Sequence, residues 1–278
     1  MKNIYESTYK NRNHFSFGKN WQKFLKTLNE EKIEEAKKSL TEFLGGEKNI
    51  KEKTFVDIGC GSGLFSLAAY LLGASKIVSS DIDDFSIACV KHLKEKQGNP
   101  ENWQTIKGSA LDENFISSLG QFDIVYSWGV LHHTGNMYKA FDNICPLVSN
   151  DGCLFLAIYN DSKNRWREGT SKFWQKAKKF YNSHGLLTKK IMTWLYVAYF
   201  FIGLLIMGKN PIQYIKNYKS NRGMNWYNDI MDWLGGYPYE FASPDEIINY
   251  FSNKNMLCKK LIYREGIGCS EYLLIKNE

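Results

Sequence analysis

Residues 54–63 read Thr-Phe-Val-Asp-Ile-Gly-Cys-Gly-Ser-Gly and decide the fold. A short apolar run ends here in a glycine-rich turn, and Leu64, Leu67 and Leu71 follow at helical spacing. The order is therefore strand, turn, helix. Glycines in such a turn let a ligand approach the backbone closely, and the free N–H groups at the start of the helix favour an anionic group.

The same alternation extends to both sides of this turn. Further strands are predicted over 76–82, 104–110, 122–127 and 153–158, with helical patterns that begin at Leu64, Asp84 and the N-cap residue Asn136. Parallel strands need crossovers of this length, so the pattern predicts an α/β fold with a doubly wound, mostly parallel sheet. Two last strands, 256–263 and 269–275, are joined by a glycine turn and predict an antiparallel hairpin at the sheet edge. The sheet would then have seven strands.

Three regions are predicted from where the strand pattern stops and resumes. It stops at Asn160 and returns after Ser243, where a capping box begins the last helix. The nucleotide-binding core is therefore predicted over 47–160 and 243–278, and residues 161–242 are predicted to be a helical cap inserted into it. Apolar residues at helical spacing before Gly45 predict an N-terminal helical lid over 1–46.

The glycine spacing argues against a dinucleotide. The fingerprint G-x-G-x-x-G needs glycine at 64, or glycine or alanine at 66, and the chain has Leu64 and Ser66. Asp81 lies near the end of the second predicted strand, where a carboxylate can accept hydrogen bonds from both ribose hydroxyls of a nucleoside. A nucleoside without pyrophosphate is the predicted ligand.

Four ordered motifs resemble a known family. They are the loop at 57–63, Asp81, the stretch 107–112, and the stretch 122–133, which includes Val-Leu-His-His at 130–133. Together they resemble class I S-adenosylmethionine-dependent methyltransferases, in the small-molecule branch related to ubiquinone and menaquinone biosynthesis. The resemblance covers 54–160 and 243–277, about half of the chain. It implies a Rossmann-like methyltransferase fold with S-adenosylmethionine as cofactor and S-adenosylhomocysteine as product.

The resemblance also implies which residues hold the cofactor. Asp57 would orient the loop and the amino group of the cofactor, and Asp81 would hold the ribose. The other positions are Gly59, Cys60, Gly61 and Gly63 in the loop, Ile82, Ser109, Ala110 and Leu111 around the adenine, and Ser127 and Trp128 at the floor of the site. Many relatives have aspartate where this chain has Ser109, which implies a weaker contact to the adenine amino group.

His132, His133 and Tyr159 are the candidate catalytic residues. They follow the fourth and fifth predicted strands, beyond whose carboxyl ends open α/β sheets bind ligands. A sulfonium methyl group is already activated, so the enzyme mainly aligns the nucleophile and excludes water, and a histidine could take the proton. Local packing is the alternative role for Tyr159 and for one histidine. Adjacent histidines lack metal-ligand spacing, so no metal site is predicted.

Residues 232–240, Asp-Trp-Leu-Gly-Gly-Tyr-Pro-Tyr-Glu, predict a rigid aromatic loop. Loops on a rigid scaffold commonly hold substrates, so Tyr237, Tyr239 and Glu240 are candidate substrate-binding residues. The alternative is a loop that packs on its own aromatic rings, with Glu240 tying it down.

The positive charge is concentrated in one segment. The chain has a net charge of +7, and residues 161–222 hold 13 basic residues against two acidic ones, a local charge of +11. A nucleic-acid binder would spread its charge around a groove, so no nucleic-acid partner is predicted. The lysines of this segment, Lys178 and Lys179 among them, would attract an anionic substrate. A solvated helical face and an anionic membrane surface are the alternatives.

An uncharged run of 17 residues, 191–207, lies within this segment and is at the lower limit for a membrane span. A span would separate the two halves of one sheet, and no second apolar run follows. We therefore expect a buried or dimer-forming helix of the cap, or an apolar face that touches lipid. Trp174 and Phe180, at near-helical spacing, are predicted to belong to the core of the cap.

The sequence thus predicts a methyltransferase acting on oxygen or nitrogen of a small, polar and anionic metabolite or surface-glycan precursor. A membrane-associated quinone or lipid is the alternative acceptor. RNA or protein acceptors are disfavoured, because the motif Asn/Asp-Pro-Pro-Tyr/Phe does not follow the fourth strand. A cofactor-binding protein without catalysis is a further alternative. Six cysteines without a C-x-x-C pair, and a first stretch without an apolar run, predict a cytoplasmic location.

Overall fold

The computed structural model describes residues 21, 24, 25, 27–163, 169–222 and 226–277. Its strands are β1 (Thr54–Ile58), β2 (Lys76–Asp81), β3 (Trp103–Lys107), β4 (Phe122–Trp128), β5 (Val148–Tyr159), β6 (Met256–Ile262) and β7 (Cys269–Lys276). They form one sheet in the order β3-β2-β1-β4-β5-β7-β6. The first five strands are parallel, and β7 pairs antiparallel with both β5 and β6. The predicted seven-stranded sheet with its antiparallel edge hairpin is confirmed.

Helices cover both faces of this sheet. They are α1 (Glu30–Leu44), α2 (Leu64–Leu71), α3 (Asp84–Lys96), α4 (Glu113–Ser118), α5 (Met137–Ile144), α6 (Ser171–Ser183), α7 (Leu186–Ile206), α8 (Pro211–Arg222), α9 (Trp226–Gly235) and α10 (Pro244–Ser252). One apolar core joins α1, α2 and α3 to the sheet, and a second joins α4, α5 and α10 to the opposite face. Neighbouring residues of β1 show the alternation, since Phe55 points into the first core and Val56 into the second.

Side-chain caps set the helix boundaries. Asn136 accepts a hydrogen bond from the Lys139 N–H at the start of α5, and Ser243 forms a complete capping box with Glu246 at the start of α10, both as predicted. Asn29 caps α1 in the same way, since its side chain accepts a hydrogen bond from the Lys32 N–H.

The described residues between β5 and α10 form the helices α6 to α9. A bridge between Asn160 and Ala242 joins the two ends of this helical segment, whose predicted limits 161–242 stay a prediction. The segment has a core of its own, made of Trp174, Tyr181, Ile230, Leu234 and Tyr239. Its origin as an insertion into the family fold, and the lid assigned to 1–46, stay predictions. Residues 1–20 of that lid lie outside the described residues.

The structure contradicts one expectation about the helical segment and narrows another. Phe180 was expected in its core, but its ring is exposed on α6, whereas Trp174 is buried. In α7 only Thr193 and Leu204 are buried. Of the three expected roles of this helix, the buried one is excluded for the described chain, and the dimer contact and the lipid-facing surface stay predictions. By length and composition α7 is the one described helix that could cross a membrane.

Candidate active site

The turn between β1 and α2 forms one side of the site. Gly59, Gly61 and Gly63 all have positive φ angles, of 80°, 53° and 80°, which L side chains rarely adopt. A Cβ atom at Gly59 would also overlap the side chain of Val130. The Gly59 and Cys60 N–H groups donate to the Ser80 carbonyl at 2.8 and 2.9 Å, which fixes the turn against β2.

Asp57 lies beneath this turn at the end of a buried hydrogen-bond chain. The Trp103 Nε1–H donates to the Ser79 hydroxyl at 2.9 Å, Ser79 donates to the Ser66 hydroxyl at 2.7 Å, and Ser66 donates to Asp57 Oδ2 at 2.6 Å. Only 2% of Asp57 is exposed. Burial raises the pKa of its carboxyl group to about 7.

Asp81 closes the turn from the end of β2. The Gly61 N–H donates to Oδ2 and the Asp83 N–H donates to Oδ1, both at 2.9 Å. A carboxylate has about four acceptor positions, so further positions remain for hydroxyl groups of a ligand. Burial raises the pKa of Asp81. Among the described residues, no basic side chain forms an ion pair with Asp57 or Asp81.

The turn after β3 lies next to Asp81. The Gly108 N–H donates to the Asp81 carbonyl at 3.0 Å, and Asn143 donates to the Ala110 carbonyl at 2.8 Å. The Ser109 hydroxyl accepts from the Leu111 N–H at 3.1 Å, so it stabilises its own turn. Ile82 and the residues Ser109 to Leu111 are half-buried near this turn, and their role around an adenine stays a prediction.

Three further predicted cofactor positions differ in exposure. Ser127 is fully buried and donates to the Ile58 carbonyl at 2.9 Å, which joins β4 to β1 under the glycine turn. Trp128, at the end of β4, has an exposed ring. Cys60 is buried, and burial raises the pKa of its thiol well above the usual value. Cys60 therefore stays protonated.

His132 lies directly after β4 and is fully buried. The Tyr159 N–H approaches its Nδ1 at 3.4 Å, so Nδ1 is the acceptor nitrogen and the proton of the neutral ring is on Nε2. Burial lowers the pKa of His132 well below 6.5, which keeps the ring neutral. Its Nε2 has no hydrogen-bond partner in the described part of the chain. His132 thus has one donor left, the Nε2–H, which is closed to solvent and is available only to a ligand that enters this buried position.

In His133 the other ring nitrogen, Nδ1, carries the proton of the neutral ring. Its Nδ1 lies 2.6 Å from the Pro238 carbonyl oxygen, and since a carbonyl only accepts, Nδ1 carries the proton. In the neutral ring the lone pair is then on Nε2. A general base needs its ring held in one tautomer and one orientation, and the hydrogen bond to the Pro238 carbonyl does this for His133.

Tyr159 joins the two histidines to the helical segment. Its ring centroid lies 4.0 Å from that of His132, 5.5 Å from that of His133 and 5.0 Å from that of Tyr239. Burial raises the pKa of Tyr159 well above 10, so the phenol stays protonated near neutral pH. It can donate a hydrogen bond but is not suited to remove a proton.

Lys178 was expected on a charged surface, and the structure corrects this. Only 1% of it is exposed, and its Nζ donates to the Trp233 carbonyl at the end of α9. The Nζ lies 3.7 Å from the Trp233 ring centroid and 4.5 Å from that of Tyr239. Burial lowers the pKa of Lys178 well below its usual value. The signal for this burial was the helical spacing of Lys178 with Trp174 and Tyr181.

The aromatic loop after α9 binds back to the histidine turn. Tyr239 is buried beside Tyr159, whereas Tyr237 is partly exposed. The Glu240 N–H donates to the His132 carbonyl at 2.9 Å, and the Met137 N–H donates to both Glu240 carboxylate oxygens at 3.1 and 3.2 Å. The carboxylate of Glu240 therefore stabilises the start of α5, which is the structural role that the sequence left open.

Two solved methyltransferase structures have a fold similar to that of this chain. PKMT2 from Rickettsia typhi, solved with S-adenosylhomocysteine, has a TM-score of 0.55 at 13% identity over 82% of this chain and 49% of its own. Magnesium protoporphyrin IX methyltransferase from Synechocystis, also solved with S-adenosylhomocysteine, has a TM-score of 0.52 at 13% identity over 90% and 89%. The fold is that of class I S-adenosylmethionine-dependent methyltransferases.

A family model described as a methyltransferase domain matches residues 28–199, more than half of the chain. The chain belongs to this methyltransferase family. Among curated relatives, the mitochondrial ubiquinone biosynthesis O-methyltransferase of Dictyostelium discoideum is 33% identical over 111 residues. These residues are 38% of this chain and 35% of the relative. A ribosomal protein L11 methyltransferase of Acinetobacter baumannii is 42% identical over 53 residues, 19% of this chain and 18% of the relative. The chain thus spans about a third or less of the length of these relatives.

The residues present fit S-adenosylmethionine. The buried Asp57 and the half-buried Asp81 have no basic partner in the described chain, and the cofactor carries an ammonium and a sulfonium group. A cationic ligand would therefore supply the missing positive charge. The free acceptor positions of Asp81 suit ribose hydroxyls, and the glycine turn allows the ligand to approach the backbone.

Proposed function

We propose that this chain transfers the methyl group of S-adenosylmethionine to an oxygen or nitrogen atom of a small-molecule acceptor bound beside His132, His133 and Tyr159. The carrying observation is that hydrogen bonds fix the two histidine rings at the end of β4 with the lone pair on Nδ1 of His132 and the proton on Nδ1 of His133. When bound, the cofactor supplies an electrophilic methyl group and leaves as S-adenosylhomocysteine. The proposed location is the cytoplasm.

In this proposal each residue has one task. Asp57 and Asp81 bind the two polar ends of the cofactor, and the glycine turn holds it close to the backbone. His132 donates a hydrogen bond from Nε2 to the acceptor, which orients the attacking atom. His133 accepts the proton of that atom on Nε2. The rings of Tyr159, Trp233 and Tyr239 exclude water from the reacting groups.

An acceptor with an apolar body, such as a quinone or lipid, is the better supported class. The anionic metabolite or surface-glycan precursor depended on the local positive charge, and Lys178 does not contribute to a charged surface. The acceptor side is instead lined by aromatic rings. An apolar groove of about 540 Å³, lined by Phe173, Met192 and Leu234 among others, lies beside them. The Dictyostelium relative is named for ubiquinone biosynthesis, which supports the same class.

Transfer of labelled methyl groups tests the proposal. The purified chain, with labelled S-adenosylmethionine and a cell extract, should label a compound in the organic phase, to be identified by mass spectrometry. A labelled water-soluble anion would favour the metabolite class instead. Labelling of RNA or protein, or no labelling at all, would contradict the proposal.

His133→Gln should lower kcat about 100-fold or more, because it removes the proton acceptor. His92→Gln, at an exposed position of α3, is the matched control and should leave kcat unchanged. A His133→Gln enzyme with full kcat would exclude the general base. Binding of S-adenosylhomocysteine should be equal in both variants, which separates catalysis from folding.

A further inference from the structure

Helix α7 exposes an apolar stripe along its length. The α7 stripe consists of Ile191, Trp194, Leu195, Ile202, Leu205 and Ile206, which recur at helical spacing. Trp194 is 73% exposed and Ile206 is 81% exposed. At 1.5 Å per residue the 21 residues of this helix extend about 30 Å. Monomeric soluble proteins rarely leave an apolar surface of this extent uncovered.

The opposite side of α7 packs on the helical segment. The Tyr196 ring lies 5.5 Å from that of Trp174, and the rings of Phe200 and Phe201 lie 5.7 and 5.9 Å from that of Trp226. Thr193 is buried on the same side, with its hydroxyl 3.5 Å from the Tyr181 hydroxyl. A membrane-spanning position would break these contacts. Lying in the plane of a surface keeps them and covers the α7 stripe.

The charge around the α7 stripe is positive throughout. Residues 171–216 contain eight lysines and no acidic residue. Lys190 and Lys209 are exposed at the two ends of the stripe, and Lys172, Lys176 and Lys179 are exposed on the neighbouring α6. An apolar stripe framed by lysines is complementary to a bilayer with anionic headgroups. In a symmetric contact between two copies, the same lysines would face each other and repel.

The apolar groove opens beside the same stripe. It lies between α6 and α7, and Leu195 and Tyr199 line it while also being exposed. At its other side Leu234 packs in the core that contains Trp174 and Tyr239. Contact of the α7 stripe with lipid would therefore bring this groove, which lies beside the aromatic residues of the candidate active site, against the acyl chains of the lipid.

We propose that the α7 stripe docks this chain, in the plane of the surface, on membranes that contain anionic lipids. Apolar side chains enter the headgroup region, and the flanking lysines remain at the anionic headgroups. The proposal concerns where the chain binds and does not depend on the identity of the methyl acceptor.

Vesicle co-sedimentation tests the proposal with the full chain. Wild type should sediment with vesicles of phosphatidylcholine and phosphatidylglycerol, more weakly with phosphatidylcholine alone, and less as salt is raised. Trp194→Glu/Ile202→Glu should lower the partition coefficient about 10-fold or more. Lys190→Glu/Lys209→Glu should lose the preference for anionic vesicles. Leu257→Glu/Leu261→Glu, at exposed apolar positions of the edge strand β6, is the matched control and should bind like wild type.

Two measurements keep misfolding apart from loss of docking. All variants should keep the melting temperature and the S-adenosylhomocysteine affinity of wild type, because none of the changed side chains is buried in a core. Equal vesicle binding by wild type and Trp194→Glu/Ile202→Glu would overturn the proposal, as would no binding to either vesicle type. A dimer in analytical ultracentrifugation that this variant converts to monomers would assign the stripe to a second copy and overturn it too.

Discussion

The raised pKa of the buried Asp57 carboxyl group favours a cationic ligand beside it. Its hydrogen-bond chain runs through Ser66 and Ser79 to Trp103 and supplies dipoles but no positive charge. Burial therefore holds its pKa at about 7, well above the ordinary 3.8. The native ligand-free chain keeps this proton to a higher pH than the unfolded chain does. From about pH 4 to pH 7, Asp57 consequently makes the ligand-free protein less stable as pH rises.

Proton release on cofactor binding follows from this pKa. A cationic ligand favours the ionised carboxylate, so binding at pH 7 should release roughly half a proton from Asp57. Calorimetric titrations in buffers of different ionisation enthalpy measure this number. At pH 9, where Asp57 is already ionised, its share of the release should vanish. Asp57→Asn should lack it at both pH values, and an unchanged release in that variant at pH 7 would contradict the assignment.

At the residue scale, the sequence locates the site but not its protonation states. The positions of His132 and His133 follow from the strand that precedes them. Their different tautomers depend on the Tyr159 N–H and the Pro238 carbonyl, which distant parts of the chain supply. Glu240 is another example, since its partner Met137 lies in a different element. Such pairings depend on the packed fold and have no local sequence signal.

Helix α6 shows how one element connects the helical segment to the site. Lys178 and Asn182, one turn apart, donate to the Trp233 and Gly235 carbonyls and so satisfy the end of α9. The neighbouring Lys179 is exposed. Two lysines that are adjacent in the sequence of α6 therefore differ in burial, because they lie on different faces of the helix.

Because of this difference in burial, the same substitution should destabilise the protein much more at Lys178 than at Lys179. Lys178→Glu should lower the free energy of unfolding by about 3 kcal/mol or more, because it buries a carboxylate beside a carbonyl oxygen. Lys179→Glu should change it by at most about 0.5 kcal/mol. Urea denaturation of both variants measures the difference. Equal midpoints would show that Lys178 is not buried as described.

The elements themselves were predictable where sequence signals reinforce each other. The bounds of β1 agree with the buried run that ends in glycine, and α10 begins at its capping box. Helix α4 was not predicted, because its six residues bury only Ile116 and show no full helical period. The sequence left open whether α7 is buried or exposed. An apolar sequence alone does not show whether protein or another surface covers it.

At the scale of the whole molecule, the sheet and the helical segment divide the task between them. In the proposed function, the glycine turn, Asp57 and Asp81 form the cofactor side, and the residues after β4 and β5 meet the helical segment on the acceptor side. The cofactor side depends on the family fold, whereas the acceptor side depends on α6, α9 and the loop that follows. In the proposed function, α9 and the loop that follows it, which lie outside the family match over 28–199, would help to select the acceptor.

Isothermal titration calorimetry on the purified chain, freed of carried-over ligand, decides whether the glycine turn and Asp81 bind S-adenosylmethionine. We expect saturable heats with S-adenosylmethionine and S-adenosylhomocysteine, and none with NAD. Flat titrations with both sulfur compounds, together with a clear isotherm for NAD, would contradict the cofactor assignment and the methyl transfer built on it.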